Sequence, residues 1–343
     1  GQPLAPAENV FIAFAPYADV AVHLYQLRSG PGQLGGDVVV PGELDGFTVD
    51  VIGVSVFRGE TITSLTLPET VLELRSNAIS TCDNLTRVSL PQSLVVINRM
   101  NFFSCTALTE VTIPAGVRYI GDTSFRYCDS LRKITFEGVC PAIDIDCFSL
   151  LPEGATAYVP DDQLDAYIAA FENAGSEVSV QPSGKNAVIV ENNGYVESEF
   201  DFDASTGTIT SYNGYATYLA IPETIGGAPV KAIGPEAFAQ HTYLALLELP
   251  EGLETIGESA FEACSNMGGN LYLPSTLESI GSRAFKGDYN IQYIVLESLT
   301  APTLGEDVFA GCDYLYDIDL NAHGTRQEMR QWQAYVDALG LPC

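Results

Sequence analysis

Positive charge is what this sequence lacks most. Against 44 Asp and Glu it carries 15 Lys and Arg, a formal net charge of −29. Nucleic-acid binding needs a basic stripe to neutralise phosphates, so that class is excluded. Adhesion to an anionic membrane surface is disfavoured on the same ground. There is no run of 18 apolar residues, hence no expected transmembrane helix. Histidine is scarce: His23, His241 and His323 lie far apart and no H-E-x-x-H occurs, so zinc is not expected. No serine stands in a G-x-S-x-G context and no nucleophile–base pair can be drawn. Catalytic residues, cofactors and metals are therefore not expected. The start, Gly1-Gln2-Pro3-Leu4-Ala5-Pro6, is not a signal peptide and reads as a mature or trimmed N-terminus, any export signal having been removed.

Two weak motifs are set aside on physical grounds. Gly30-Pro31-Gly32-Gln33-Leu34-Gly35 matches G-x-G-x-x-G, but a strand rather than a helix is expected after it, so the stretch through Gly36 reads as a turn. Asp144-Ile145-Asp146, Asp201-Phe202-Asp203 and Asp317-Ile318-Asp319 offer oxygen ligands. None continues into the Gly and bidentate Glu of a calcium loop, and all three read as acidic surface.

What the sequence does hold is repetition. Cys82, Cys105 and Cys128 are 23 residues apart, as are Pro68, Pro91 and Pro114, and Leu74, Ile97 and Ile120 keep the same step. A fixed period of this size, with an L-x-x-[IV]-x-[LI] core, predicts a leucine-rich-repeat solenoid, mostly β with short helical or irregular turns. Aromatic or aliphatic anchors mark the turns at Phe57, Ile79, Phe102, Phe125 and Phe148. A second set, Phe238, Phe261, Phe285 and Phe309, steps by 23, 24 and 24. Phe57 and Phe238 are offset by 181, as are Ile52-Gly53 and Ile233-Gly234, so the whole plan is written twice. Hydrophobic residues at 46% suffice for a continuous core.

Two tandem modules are expected, 1–180 and 181–343, each with a β-rich lead-in and a C-terminal capping helix. The first lead-in runs through Val10–Phe14, Val20–Tyr25 and Val38–Val40. The second draws on Val188–Val190, Tyr195-Val196 and Gly207–Thr210 around Asn-Gly and Thr-Gly turns. A cap helix near 161–171 would start at Asp161 or Asp162 and put Leu164, Tyr167, Ile168 and Phe171 on one face. Another near 326–339 would bury Met329, Trp332, Val336 and Leu339. Such helices would hide the last apolar layer of each stack. Cys82, Cys105, Cys128, Cys264 and Cys312 share one repeat position and are expected inside as free thiols, because stacked parallel Cβ vectors do not suit a disulfide. Cys140 and Cys147 lie outside that position, and their pairing is left open.

The unit [IV]-G-x-x-A-F-x-x-C-x-x-L-x-x-[IL]-x-[LI]-P, seen as Ile256-Gly257-Glu258-Ser259-Ala260-Phe261-Glu262-Ala263-Cys264, resembles the BspA-like leucine-rich repeats of bacterial surface proteins. The lead-in from Gly207 to Gly234 and the end module Tyr158-Val159-Pro160 with Asp165-Ala166-Tyr167 resemble that family too. The resemblance covers about residues 36–171 and 205–340. Three departures stand out: Ile79 replaces the usual Phe, Met267-Gly268-Gly269-Asn270 adds a residue, and Gly287 stands where Cys is expected.

The resemblance implies a non-catalytic, exported, extracellular or cell-surface binding or adhesion protein. Its partner would be an extracellular protein or glycan, with no membrane insertion of this stretch, and a monomer is expected. In the repeat core the aliphatics point inward and the residues between them line the exposed strand face. The candidate face therefore holds Arg87, Glu110 and Lys133 in the first half and Tyr272 and Tyr293 in the second, the two tyrosines as adjacent rings. Tyr and Arg are the residue types that carry interface energy. The alternatives are a carbohydrate-binding surface built on the tyrosine platform, or a structural spacer.

Overall fold

The structure, a computed structural model, describes residues 22–24, 34–44, 47–190, 197–214, 216–296, 302–313, 315 and 317–320. The chain is a β-solenoid divided into two compact units, Gly1–Glu191 and Asn192–Cys343. In each unit one repeat makes one coil, and each coil adds a strand to two parallel ladders.

In the first unit the wider strands form two successive sheets, Gly35–Val39, Thr61–Thr66 and Arg87–Ser89, then Glu110–Ile113, Lys133–Phe136, Thr156–Val159 and Ser179–Pro182. Equivalent repeat positions pair directly, as in Glu110↔Lys133↔Thr156↔Ser179. The narrow ladder joins Ile52, Leu74, Ile97, Ile120 and Ile143 from successive coils. The second unit repeats this with Ile209, Ile233, Ile256, Ile280 and Leu304. Its wider strands are Tyr218–Ala220 with Leu246–Glu248, and Gly268–Leu273 with Asn290–Leu296 and Asp317–Leu320.

The anchors fill the space between the ladders. Phe102, Phe125, Phe148 and Phe171 stack face to face with centroids 5.0, 5.0 and 5.1 Å apart. Phe238, Phe261, Phe285 and Phe309 do the same at 4.9, 5.2 and 5.5 Å. These spacings follow the distance between paired strands. Helical Phe171 apart, the backbone turns left-handed two residues before and two residues after each anchor, at Thr123 and Tyr127 around Phe125 and at Arg283 and Gly287 around Phe285.

The helix expected near 161–171 forms as Leu164–Asn173 and buries Tyr167 and Phe171. It is not a lid beyond the stack. Phe171 continues the ring ladder, and the chain then returns to pair Ser179–Pro182 with Thr156–Val159, so the helix is the outer arc of one more coil. Nor do Asp161 and Asp162 cap it, because their carboxylates accept the Gly184 and Ala187 N–H groups at 2.8 Å instead. The second expected helix, 326–339, lies outside the described residues.

Other expectations are corrected locally. Gly35 and Gly36 open a strand instead of closing a turn, with a bulge between Gly36 and Asp37 where Gly36 takes φ 76°. Val188–Val190 is no strand. It lies along the first unit, with the Val188 N–H bonded to the Glu137 carbonyl at 2.8 Å and the Val190 carbonyl accepting from Arg118 at 2.6 Å. Within the stretch 267–270 the register against the next strand shifts between Gly269 and Asn270, which pair with Ile291 and Tyr293. The expected strands at Val10–Phe14 and Tyr195-Val196 fall outside the described residues.

Candidate functional site: the strand faces

The wider ladder turns two columns of side chains outward. In the first unit one column runs Ser64, Arg87, Glu110, Lys133 and Thr156, and the other runs Thr66, Ser89, Thr112, Thr135 and Tyr158. Arg87, Glu110 and Lys133 are all exposed. Arg87 lies in register with Ser64. Lys133 sits beside Glu110 with Nζ 3.7 Å from Oε2, a solvent-exposed ion pair of small energetic weight.

The second column ends in a cleft of about 380 Å³, whose lining includes Lys133, Thr135, Tyr158, Ser183, Lys185 and Val188. That volume is within the range of small-ligand sites. Residues 183–188 form its outer wall and are fixed by bonds to the coil beneath. Besides the two aspartate contacts above, the Ser183 N–H bonds the Val159 carbonyl, and the Lys185 carbonyl accepts from the Asp161 N–H at 2.8 Å. Sequence reading assigned Tyr158 to an end module. The signal that places it on the face is the same 23-residue step, from Thr112 through Thr135 to Tyr158.

In the second unit the tyrosines are not side by side. Tyr272 pairs in register with Val295, whereas Tyr293 pairs with Asn270 and Asp317, so the rings are diagonal on one face. Tyr272 is exposed and Tyr293 half-buried. Leu246 and Val295, in the same outward columns, are buried, since apolar side chains gain by lying on the sheet instead of standing in water. Apolar side chains thus interrupt the polar columns of this face.

Buried titratable groups sit inside the coils. Cys82, Cys128, Cys264 and Cys312 each donate their thiol to the carbonyl of an anchor one coil back, at 2.8, 3.1, 3.0 and 3.2 Å. All seven described cysteines are free, Cys140 and Cys147 included. Gly287, however, is not the position that replaces Cys. With φ 80° it matches the left-handed Gly59 and Gly311, two residues after their anchors, and the thiol position is held by Asp288. Asp288 is fully buried, and neither carboxyl oxygen has a hydrogen-bond partner. Burial, reinforced by the charge of Glu262, pushes its carboxyl up to about 9. His241 occupies the equivalent place one coil before Cys264 and packs 5.4 Å from the Tyr212 ring.

Asp144 and Asp146, and Asp201 and Asp203, are held by separate partners within the protein. Asp144 is buried and accepts the Tyr119 hydroxyl at 2.5 Å, burial raising its carboxyl to about 7, while Asp146 pairs with Arg126 at 3.3 Å. Asp203 accepts from the Ser205 backbone N–H and hydroxyl, and Asp201 from Asn213. Among the described residues no group of three or more His, Cys, Asp or Glu side chains is arranged to hold a metal ion. Nor is any helix there long and apolar enough to cross a membrane.

Residues 46–154 and 230–330, more than half the chain, match the BspA type leucine-rich repeat region in six copies. The chain belongs to this BspA-type leucine-rich-repeat family. No catalytic family is indicated. Solved structures similar to this BspA-type chain include a leucine-rich repeat protein from Bacteroides ovatus, 20% identical over 90% of this chain and 92% of that one, with TM-score 0.30. The pneumococcal vaccine antigen PcpA is 18% identical over 92% and 80%, with TM-score 0.35. A leucine rich cell surface protein from Faecalibacterium prausnitzii is 18% identical over 94% and 98%, with TM-score 0.27. No curated protein matches the chain.

Proposed function

We propose that this chain is a non-catalytic, exported cell-surface protein that binds an extracellular protein or glycan through the strand faces of its repeats. The observation that carries the reading is the pair of outward columns in the first unit. The 23-residue step sets Arg87, Glu110 and Lys133 at one repeat position and Thr66, Ser89, Thr112 and Thr135 at another, with the strands paired in register from Thr66 to Ser89 and again from Glu110 to Tyr158. A solenoid offers such a surface as an extended site for many weak contacts. Membership of the BspA-type family supports it, and the net charge of −29 suits solubility while arguing against nucleic acid as the partner.

The test is a screen of the purified chain on arrays of glycans and extracellular-matrix proteins, with Arg87→Ala/Lys133→Ala and Tyr272→Ala/Tyr293→Ala alongside. A reproducible hit weakened at least tenfold in one of the two variants is expected. A folded protein that binds nothing on either array would sink the reading and leave a spacer.

A further inference from the structure

The cleft at the end of the first strand face has a lining that is unusual for this chain. The protein has four lysines in 343 residues, and the first unit has two, Lys133 and Lys185. Both line this one cleft. They face a single lining carboxylate, Glu137, in a molecule where acids outnumber bases 44 to 15. The lining also includes half-buried Tyr158, Thr135, Ser183 and Asn186. Thr135 and Tyr158 are register neighbours, so hydroxyl and ring present together.

Resting on the binding role proposed above, we propose that this cleft holds a carboxylate-bearing sugar residue of an extracellular glycan. The chemistry divides among the side chains. Two ammonium groups supply charge-assisted donors for the carboxylate. The Tyr158 ring offers its face to the apolar C–H side of a pyranose, and the hydroxyls and the Asn186 amide exchange hydrogen bonds with sugar hydroxyls. The cavity, about 380 Å³, is in the size range of small-ligand sites. Its outer wall is held by the Asp161 and Asp162 carboxylates, so the site exists before the ligand arrives.

The experiment is calorimetric titration of the full chain with a glucuronic-acid-terminated disaccharide and a sialic-acid methyl glycoside. Carboxyl-reduced and sulfated counterparts serve as comparisons. Binding is expected for a carboxylated sugar, with at least a tenfold loss on carboxyl reduction and on Lys133→Gln or Lys185→Gln. Tyr158→Phe should keep the affinity within about threefold and Tyr158→Leu should weaken it more, since the ring and not its hydroxyl is used. The tyrosine pair Tyr272→Ala/Tyr293→Ala should change nothing. Equal binding of reduced sugars, preference for sulfated ones, or indifference to both lysine changes would overturn the inference. A protein partner that needs Arg87 and the strand columns, without any sugar binding, would overturn this site while leaving the binding role intact. Silence in both assays removes both.

Discussion

At the scale of single residues the repeat shows what each position demands by what replaces its usual occupant. The thiol place is buried and lies near an anchor carbonyl one coil back, so a small weak donor suits it. Asp288 can meet that demand only by keeping its proton, because a neutral carboxyl donates and a carboxylate cannot. Its folded-state affinity for the proton lies above that of the unfolded chain, so the folded form holds a proton that the unfolded form releases between about pH 4 and 9. Stability therefore falls as pH rises through that window. We expect Asp288→Asn to stabilise the second unit by on the order of 2 kcal/mol at pH 8, with the gain fading as pH is lowered toward 4. Urea unfolding of both proteins across pH 4–9 checks this, and a pH-independent difference would contradict it. Asp144 adds a smaller effect of the same sign, complete by about pH 7.

The left-handed positions make a second residue-scale prediction. Leu150 holds φ 55° and is exposed, at a place filled by glycine in the coils of Phe57, Phe285 and Phe309. A Cβ in that conformation costs about 1–2 kcal/mol, part of which a glycine returns as greater unfolded-state freedom. Leu150→Gly should raise stability by about 0.5–1 kcal/mol by the balance of these terms. A thermal midpoint that drops would contradict it.

At the scale of elements the organising unit is a coil whose ring sits between two strands. Removing a ring from the middle of the stack opens a cavity that its neighbours above and below cannot fill. Phe125→Ala should cost about 3–5 kcal/mol. The same change at half-exposed Phe103 should cost far less, with chemical denaturation comparing the two.

This scale was also the most legible in the sequence. The 23-residue step, the anchors and the doubled plan are periodic, and periodicity survives translation into structure because each coil packs only on its neighbours. What was not legible was aperiodic. The helix looked like a lid because its amphipathic face was visible and its place in the ring ladder was not, although Phe171 lies 23 residues after Phe148. The Asp161 and Asp162 carboxylates looked like helix caps because the segment they hold, 183–187, is far away in the chain. The cleft was missed for the same reason: one wall comes from the repeat and the other from what read as a link. The offset of Tyr272 from Tyr293 depends on strand register across a bulge, which spacing alone did not settle.

At the scale of the whole molecule a buried periodic interior carries a surface that varies from coil to coil. The interior is shared by all the repeats, so it carries no information about a partner. On the binding role proposed above, partner choice would rest on the outward columns, where Arg87, Glu110, Lys133 and Tyr158 differ in charge and size while their inward neighbours Val88, Val111, Ile134 and Ala157 are all apolar. The acidic balance of the chain favours solubility and slows encounter with other anionic surfaces. On the inference above, Lys133 and Lys185 are the local cations at which an anionic group would land.

The most direct test of the central claim compares two variants for binding to a partner found on the arrays. One replaces Arg87, Thr112, Lys133 and Tyr158 on the strand face with alanine; the other replaces Val54, Tyr127, Ile145 and Leu150, exposed residues in the turns around the anchors. Both would first be shown to be folded by circular dichroism. The account predicts at least a tenfold loss of affinity for the strand-face variant and less than a twofold change for the other. Loss confined to the turn-side variant would contradict it and move the binding surface to the opposite side of the coils.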